Sequence, residues 1–146
     1  MSNDPFDKIH LNDFWPYQVA FLADQIMRHT LNIVKAESDL NTSQWRVLAA
    51  VVDTPHCSAA DVTAITPMDK TIVSRAVKSL IEDGIIEKKA SPQDKRVSQL
   101  TATEDGVDIY TRIATRLKES VSGTDRSGKF LAELKAYIQI MDRKAD

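Results

Sequence analysis

Between Asp69 and Leu100 the apolar period of this 146-residue sequence changes from that of a helix to that of a strand, and the change falls at a glycine. From Lys70 to Asp83, the residues Val73, Ala76, Val77 and Leu80 recur at the 3.6-residue spacing of one helix face. Asp69 stands where an N-cap is wanted. Gly84 stands where the chain must leave the helix with a positive φ. Beyond it, Ile85–Lys89 and Val97–Leu100 read as two short strands, and Pro92 suits the second position of a type I turn over Ser91–Asp94. Two strands alone are marginal, so this hairpin has to pack on helices.

The segments on either side are helical. Asn12–Val34 carries Val19, Leu22, Ile26, His29 and Ile33 on one stripe. A second helix is expected from Asn41 or Thr42, with Gln44 completing a capping box; it buries Trp45, Leu48 and Val52 and stops before Pro55. Ser58 and Asp61 form a similar start for a short third helix carrying Val62 and Ile65. After the hairpin, Thr101 and Glu104 predict the cap of a fifth helix lined by Val107, Tyr110, Ile113, Ala114, Leu117 and Val121. A polar break at Ser122–Ser127 precedes a last helix with Phe130, Leu134, Ile138 and Met141 in register. Long apolar stripes at both chain ends call for a partner surface, and a second copy of the chain is the economical one.

Composition narrows the function classes. A hydrophobic share of 42% suffices for a core, while one Cys excludes an internal disulfide framework and suits a reducing cytoplasm. No apolar run reaches the roughly 18 residues of a membrane span, and Met1–His10 lacks the basic-then-apolar pattern of a secretion signal. The net charge of −2 argues at first against a nucleic-acid partner. Its distribution argues the other way. Residues 1–69 carry −5, residues 70–99 carry +3, and residues 100–146 are neutral. The positive excess therefore lies wholly in the fourth helix and the hairpin, as a local phosphate footprint requires.

At about 100° per residue, Thr71, Arg75, Lys78 and Glu82 lie opposite the apolar side of the fourth helix, with Ile72 and Ser74 on its flanks. Arg and Lys can donate to guanine O6 and N7, Thr and Ser can reach base or phosphate, and Ile can touch a thymine methyl. A solvated face on an ordinary amphipathic helix has the same composition. The hairpin tip Asp94-Lys95-Arg96 breaks the tie, because an Arg there can enter the minor groove with Asp94 holding it. Nothing in the chain has the spacing of a catalytic nucleophile and its base, a Gly-rich phosphate loop, or metal ligands. No enzyme, cofactor or metal site is therefore expected.

The runs Asp69–Leu80, Gly84-Ile85-Ile86, Ser91–Arg96 and Leu100–Gly106, with Thr42–Leu48 upstream, resemble the multiple-antibiotic-resistance regulator (MarR) family. The resemblance covers nearly the whole chain and is strongest over 42–106. It implies a homodimer whose terminal helices form the interface and whose two wings grip a pseudo-palindromic operator. Asp94 and Arg96 match the family's wing-tip pair. Ile72 stands where Thr is more usual, and Ser91 where an acidic residue is common. Family members often release DNA when a small aromatic anion binds, and the resemblance would place Tyr17, His29, Trp45, Arg46 and Tyr110 around that site. A core role for Trp45 and Tyr110 is the alternative. Cys57 beside His56 invites a peroxide-sensing reading, but the family's peroxide sensors usually carry the reactive Cys near the start of the first helix.

The sequence thus predicts a mainly α, winged helix-turn-helix protein with a short β-hairpin wing. Residues 1–40 would supply an N-terminal dimerisation helix, 41–100 the DNA-binding unit, and 101–146 the C-terminal dimerisation helices, all in one integrated domain. The expected function is a cytoplasmic, homodimeric, sequence-specific repressor of transcription that binds double-stranded DNA through Ser58, Thr71, Ile72, Ser74, Arg75, Lys78, Asp94, Lys95 and Arg96, answers to a small-molecule effector and has no membrane partner. A winged-helix module for protein–protein contact, or a DNA binder without a ligand, is the alternative.

Overall fold

A computed structural model describes residues 7–145, so the reading of Met1–His10 as lacking a leader lies mostly outside the described residues. The elements run α1 (Trp15–Glu37), α2 (Thr42–Asp53), α3 (Ala59–Ile65), α4 (Lys70–Glu82), β1 (Ile86–Ala90), β2 (Ser98–Ala102), α5 (Glu104–Ser120) and α6 (Lys129–Ala145). The chain forms two compact units, with the boundary between Ile113 and Ala114 inside α5.

In the first unit α2, α3 and α4 each start where a side chain satisfies a free N–H group, whereas α1 has no side-chain cap. Helix α1 opens later than Asn12, because Asp13 N–H bonds His10 O (3.0 Å) in a preceding turn and Pro16 occupies the first helical turn, where its missing N–H costs nothing. Asn41 Oδ1 accepts the Gln44 N–H and Gln44 Oε1 accepts the Asn41 N–H, both at 2.9 Å, which is the expected capping box of α2. Ser58 and Asp61 form the same device at α3. Asp69 Oδ1 accepts the Ile72 N–H at 2.9 Å to cap α4.

The core takes Val34, Val47, Leu48, Val62, Leu80, Ile86, Leu100 and Ile113, all essentially inaccessible to solvent. Helix α4 buries the four expected residues Val73, Ala76, Val77 and Leu80. Two expectations need correction. In α2, Val47 and Val51 turn inward, while Val52 is only half-buried. In α3, Val62 is buried but Ile65 is 56% exposed, because a seven-residue helix offers little more than one inward position. On α1 only Ile33 of the predicted stripe is buried, beside Val34; Val19, Leu22, Ile26 and His29 are exposed.

The end of α4 is a Schellman stop. Ile85 N–H bonds Leu80 O (2.9 Å), Gly84 N–H bonds Ile81 O (3.1 Å), and Gly84 has φ +70°. The strands β1 and β2 then pair antiparallel from Ile86 opposite Ala102 to Ala90 opposite Ser98, running slightly past their predicted ends. Cys57 adds a single bridge to Leu100, so the segment before α3 borders the hairpin. The tight turn lies at Asp94–Val97, where Val97 N–H bonds Asp94 O (2.9 Å), rather than at Ser91–Asp94. Ser91 is buried, and its N–H is engaged by Val97 O (2.8 Å), which extends the ladder through the position assigned to the turn.

The cap of α5 is also displaced from its expected place. Thr101 lies within β2, with its hydroxyl 3.3 Å from Glu87 Oε1, and Thr103 caps the helix instead. Thr103 Oγ1 accepts the Gly106 N–H (3.1 Å) and points its proton at the carbonyls of Gly84 (2.7 Å) and Ile85 (3.0 Å). Gly106 is buried directly against Ile85.

The second unit holds the end of α5 and α6. Asp125 accepts the N–H groups of Phe130 (3.2 Å) and Leu131 (3.0 Å) at the start of α6. Phe130, Leu131, Tyr137, Ile138, Ile140 and Met141 on α6 are all exposed, and Leu134 is half-buried.

A Cβ at position 106 would run into the carbonyl oxygen of Ile85. Gly106→Ala is expected to destabilise the protein by about 1–3 kcal/mol despite the better helix propensity of Ala. The midpoint of urea unfolding, followed by far-UV circular dichroism, checks this.

Candidate nucleic-acid interface and ligand cleft

The outward side of α4 has the composition its helical angles predict. Thr71, Ile72, Ser74, Arg75 and Lys78 are all exposed. Lys78 Nζ lies 3.9 Å from Glu82 Oε1, an i,i+4 pair with both side chains largely in solvent. Such a pair contributes little and leaves the ammonium available.

The wing tip is organised by Asp94. Its Oδ1 accepts the Arg96 N–H (3.0 Å) and lies 3.4 Å from Arg96 Nε, while the Arg96 side chain is 93% exposed. The guanidinium is therefore tethered at its base and open at its tip. Lys95 is exposed beside it. On β1, Lys89 pairs with Glu87 at 2.9 Å, and this contact holds the Glu87 carboxyl below its usual range. Ser58 is committed to the cap of its own helix. Its hydroxyl donates to Asp61 Oδ2 (2.8 Å) and accepts the Asp61 N–H (3.1 Å), and its own N–H also bonds that carboxylate. The Ser58 N–H and hydroxyl keep Asp61 below the ordinary Asp value.

A cleft of about 550 Å³ opens along α2. Trp45 and Tyr110 stack at its wall, with ring centroids 5.7 Å apart and planes 20° from parallel. Arg46, Ala49, Ala50 and Asp53 supply its α2 side, and the Ile65-Thr66-Pro67 connection lies across from them. Three of the five predicted ligand residues, Trp45, Arg46 and Tyr110, thus meet at one cleft. Tyr17 and His29 are exposed on α1 and do not line it. The sequence reading missed Asp53, although positions 46, 49, 50 and 53 share a helical face by spacing alone. It also missed the bond from Gln44 Nε2 to Ser79 Oγ (2.8 Å), which ties the first turn of α2 to the recognition-helix candidate α4 across 35 residues.

A helix-turn-helix whose second helix passes directly into a charged two-stranded wing is a winged-helix unit, the build of a DNA-binding regulator. Residues 38–97 match the MarR family model. The chain is 27% identical over 142 residues to the HTH-type transcriptional repressor IacR of Pseudomonas putida, covering 97% of this chain and 80% of the repressor. Among solved structures it resembles a MarR/EmrR family regulator from Acinetobacter sp. ADP1 (TM-score 0.77, 23% identity, 92% of this chain and 99% of the other). It also resembles CouR from Rhodococcus jostii RHA1 bound to p-coumaroyl-CoA (TM-score 0.80, 15% identity, 92% and 95%). The MarR match thus covers the helix-turn-helix and most of the wing, and the proteins to which the chain is similar are transcriptional regulators.

No helix among the described residues is long and apolar enough to cross a membrane, and none of their His, Cys, Asp and Glu side chains group in a way that could hold a metal ion. Cys57 is buried, and burial, followed by the nearby Asp61 carboxylate, pushes its thiol above the usual value. That is the reverse of what a peroxide-reactive thiolate needs. Alkylation of Cys57 by iodoacetamide at about pH 8 is therefore expected to run at least about tenfold slower in the native protein than in urea. Mass spectrometry of quenched samples checks this, and equal rates would restore the redox reading.

Proposed function

We propose that this regulator is a homodimeric repressor that binds a pseudo-palindromic operator and leaves it when a small aromatic anion enters the Trp45–Arg46–Tyr110 cleft. The carrying observation is that Thr71, Arg75 and Lys78 on α4 and Arg96 at the wing tip are all open to solvent, while Val73, Ala76, Val77 and Leu80 on the other face of α4 are buried. Helix α4 would enter the major groove, where Arg75 can donate to guanine. Arg96, aimed by Asp94, would enter the adjacent minor groove. Lys78 and Lys95 would bind phosphates. Ser58, with its hydroxyl proton already given to Asp61, would serve mainly to start α3.

Dimerisation is supported by the exposed apolar residues of α1, including Val19, Phe21, Leu22, Ile26 and Met27, and by those of α6. A second copy would cover them and set the two wings on successive half-sites. The aromatic-anion reading draws on the stacked Trp45–Tyr110 wall with Arg46 beside it, and on the CoA thioester bound by the similar CouR. A cytoplasmic location follows from acting on DNA. Use of the winged helix for protein contact is disfavoured, because that use wants an apolar or acidic outer face, whereas α4 presents Arg75 and Lys78.

Fluorescence anisotropy on DNA selected from a random pool by the purified protein tests the reading. Arg96→Ala is expected to weaken binding about tenfold or more on most sequences. Arg75→Ala should cost about 1–3 kcal/mol and also relax base preference at one position of each half-site. Affinity should fall steeply between about 50 and 200 mM salt as counterions are released. Unchanged affinity in both variants would sink the proposal.

A further inference from the structure

The cleft carries two opposite charges that do not neutralise each other. Arg46 is half-buried and Asp53 is exposed, and neither has a hydrogen-bond or ion-pair partner among the described residues. They stand seven residues apart on α2, almost two full turns, so their Cα atoms are separated by about 10 Å along one helix face. Between them the face is lined by Ala49 and Ala50, whose small side chains leave room for a flat ring. A chain that needed only to hold an anion would gain nothing from a carboxylate at the other end of the same cleft. An incoming monoanion is attracted at Arg46 and repelled at Asp53.

The helix itself reinforces the polarity. Arg46 lies toward the N-terminal half of α2, and Asp53 is its last residue, before the cap at Thr54. The helix dipole therefore favours positive charge at the Asp53 end, in the same sense as that side chain. Among the residues lining the cleft, the only other titratable group is the Tyr110 phenol, which stacks on Trp45.

We infer that this cleft selects an aromatic zwitterion, with a carboxylate at Arg46, a flat ring over Ala49 and Ala50, and an ammonium group at Asp53. The inference rests on the cleft being the effector site. It assigns Asp53 as the residue that distinguishes the effector from a simple aromatic acid. A charge-assisted hydrogen bond to Asp53 is strong enough to shift affinity about tenfold or more.

Isothermal titration of the full chain with two probes of nearly equal shape, 4-(aminomethyl)benzoate and 4-ethylbenzoate, tests this. The amine should bind at least about tenfold tighter. Asp53→Asn should bring the two probes within about twofold of each other, and Arg46→Gln should weaken both about tenfold. Both side chains lack hydrogen-bond and ion-pair partners among the described residues, so neither change removes such a bond there, and thermal unfolding of the variants verifies the fold. If both probes bind equally and both depend on Arg46, the zwitterion inference is overturned and the effector-site reading stands. If 4-hydroxybenzoate matches the amine, a neutral donor suffices and the ammonium assignment is overturned. If no probe binds, or Arg46→Gln changes nothing, the effector-site reading falls as well.

Discussion

The first unit depends on a small knot of backbone bonds where α4 ends, β1 begins and α5 starts. Gly84 turns the chain out of α4 through a left-handed conformation, and Ile85 reaches back to Leu80 to close the Schellman stop. Thr103 arrives from the far end of the hairpin, donates its N–H to Ile85 O (3.0 Å) and directs its hydroxyl at the Gly84 and Ile85 carbonyls. Gly106 then lets the first turn of α5 lie against Ile85 without a side chain between. These bonds satisfy carbonyls that a helix end leaves bare, and they fix the base of the wing relative to α4. A wing that could pivot there would spread Arg96 over many positions. The register of the charged tip follows from the knot.

Electrostatics follow the same division of labour. The body is acidic, and the positive excess is confined to α4 and the hairpin. Within that segment most acids have work to do locally. Asp94 ties down the turn that carries Arg96, Glu87 pairs with Lys89, and Glu82 sits near Lys78. The outer cations are thereby positioned without being buried. They keep the long-range attraction that a polyanion partner would feel, at the small cost of exposed pairs.

Helix α2 serves both faces of the unit. Its first turn is closed by Gln44, whose amide also bonds Ser79 on α4, and the next two residues, Trp45 and Arg46, line the cleft. One side chain thus connects the element that lines the cleft to the element that carries Arg75. Buried polar bonds of this kind specify one relative placement of two helices, because breaking them leaves a donor unsatisfied.

Much of this was legible in the sequence because it depends on neighbours in the chain. Capping boxes at Asn41–Gln44 and Ser58–Asp61, the buried face of α4 and the stop at Gly84 are local, and they form as the spacing predicts. The failures are those of local reasoning applied to nonlocal events. Thr101 resembles a cap with Glu104, but Glu87 lies opposite Thr101 across the hairpin and the ladder takes that residue, leaving Thr103 to cap α5. Pro92 marks a turn, yet pairing between Ser91 and Val97 moves the tight turn to Asp94–Val97. His29 shares a helix stripe with Ile33, which packs, but periodicity gives a face and not its partner. The sequence by itself determined the helices, the reading face and the charged tip, since each is written in the spacing of a few adjacent residues. Only the tertiary structure decided which strand partner claims Thr101, which side chains meet in the cleft, and that Arg46 and Asp53 face one space unpaired. Those outcomes depend on distances between segments far apart in the chain.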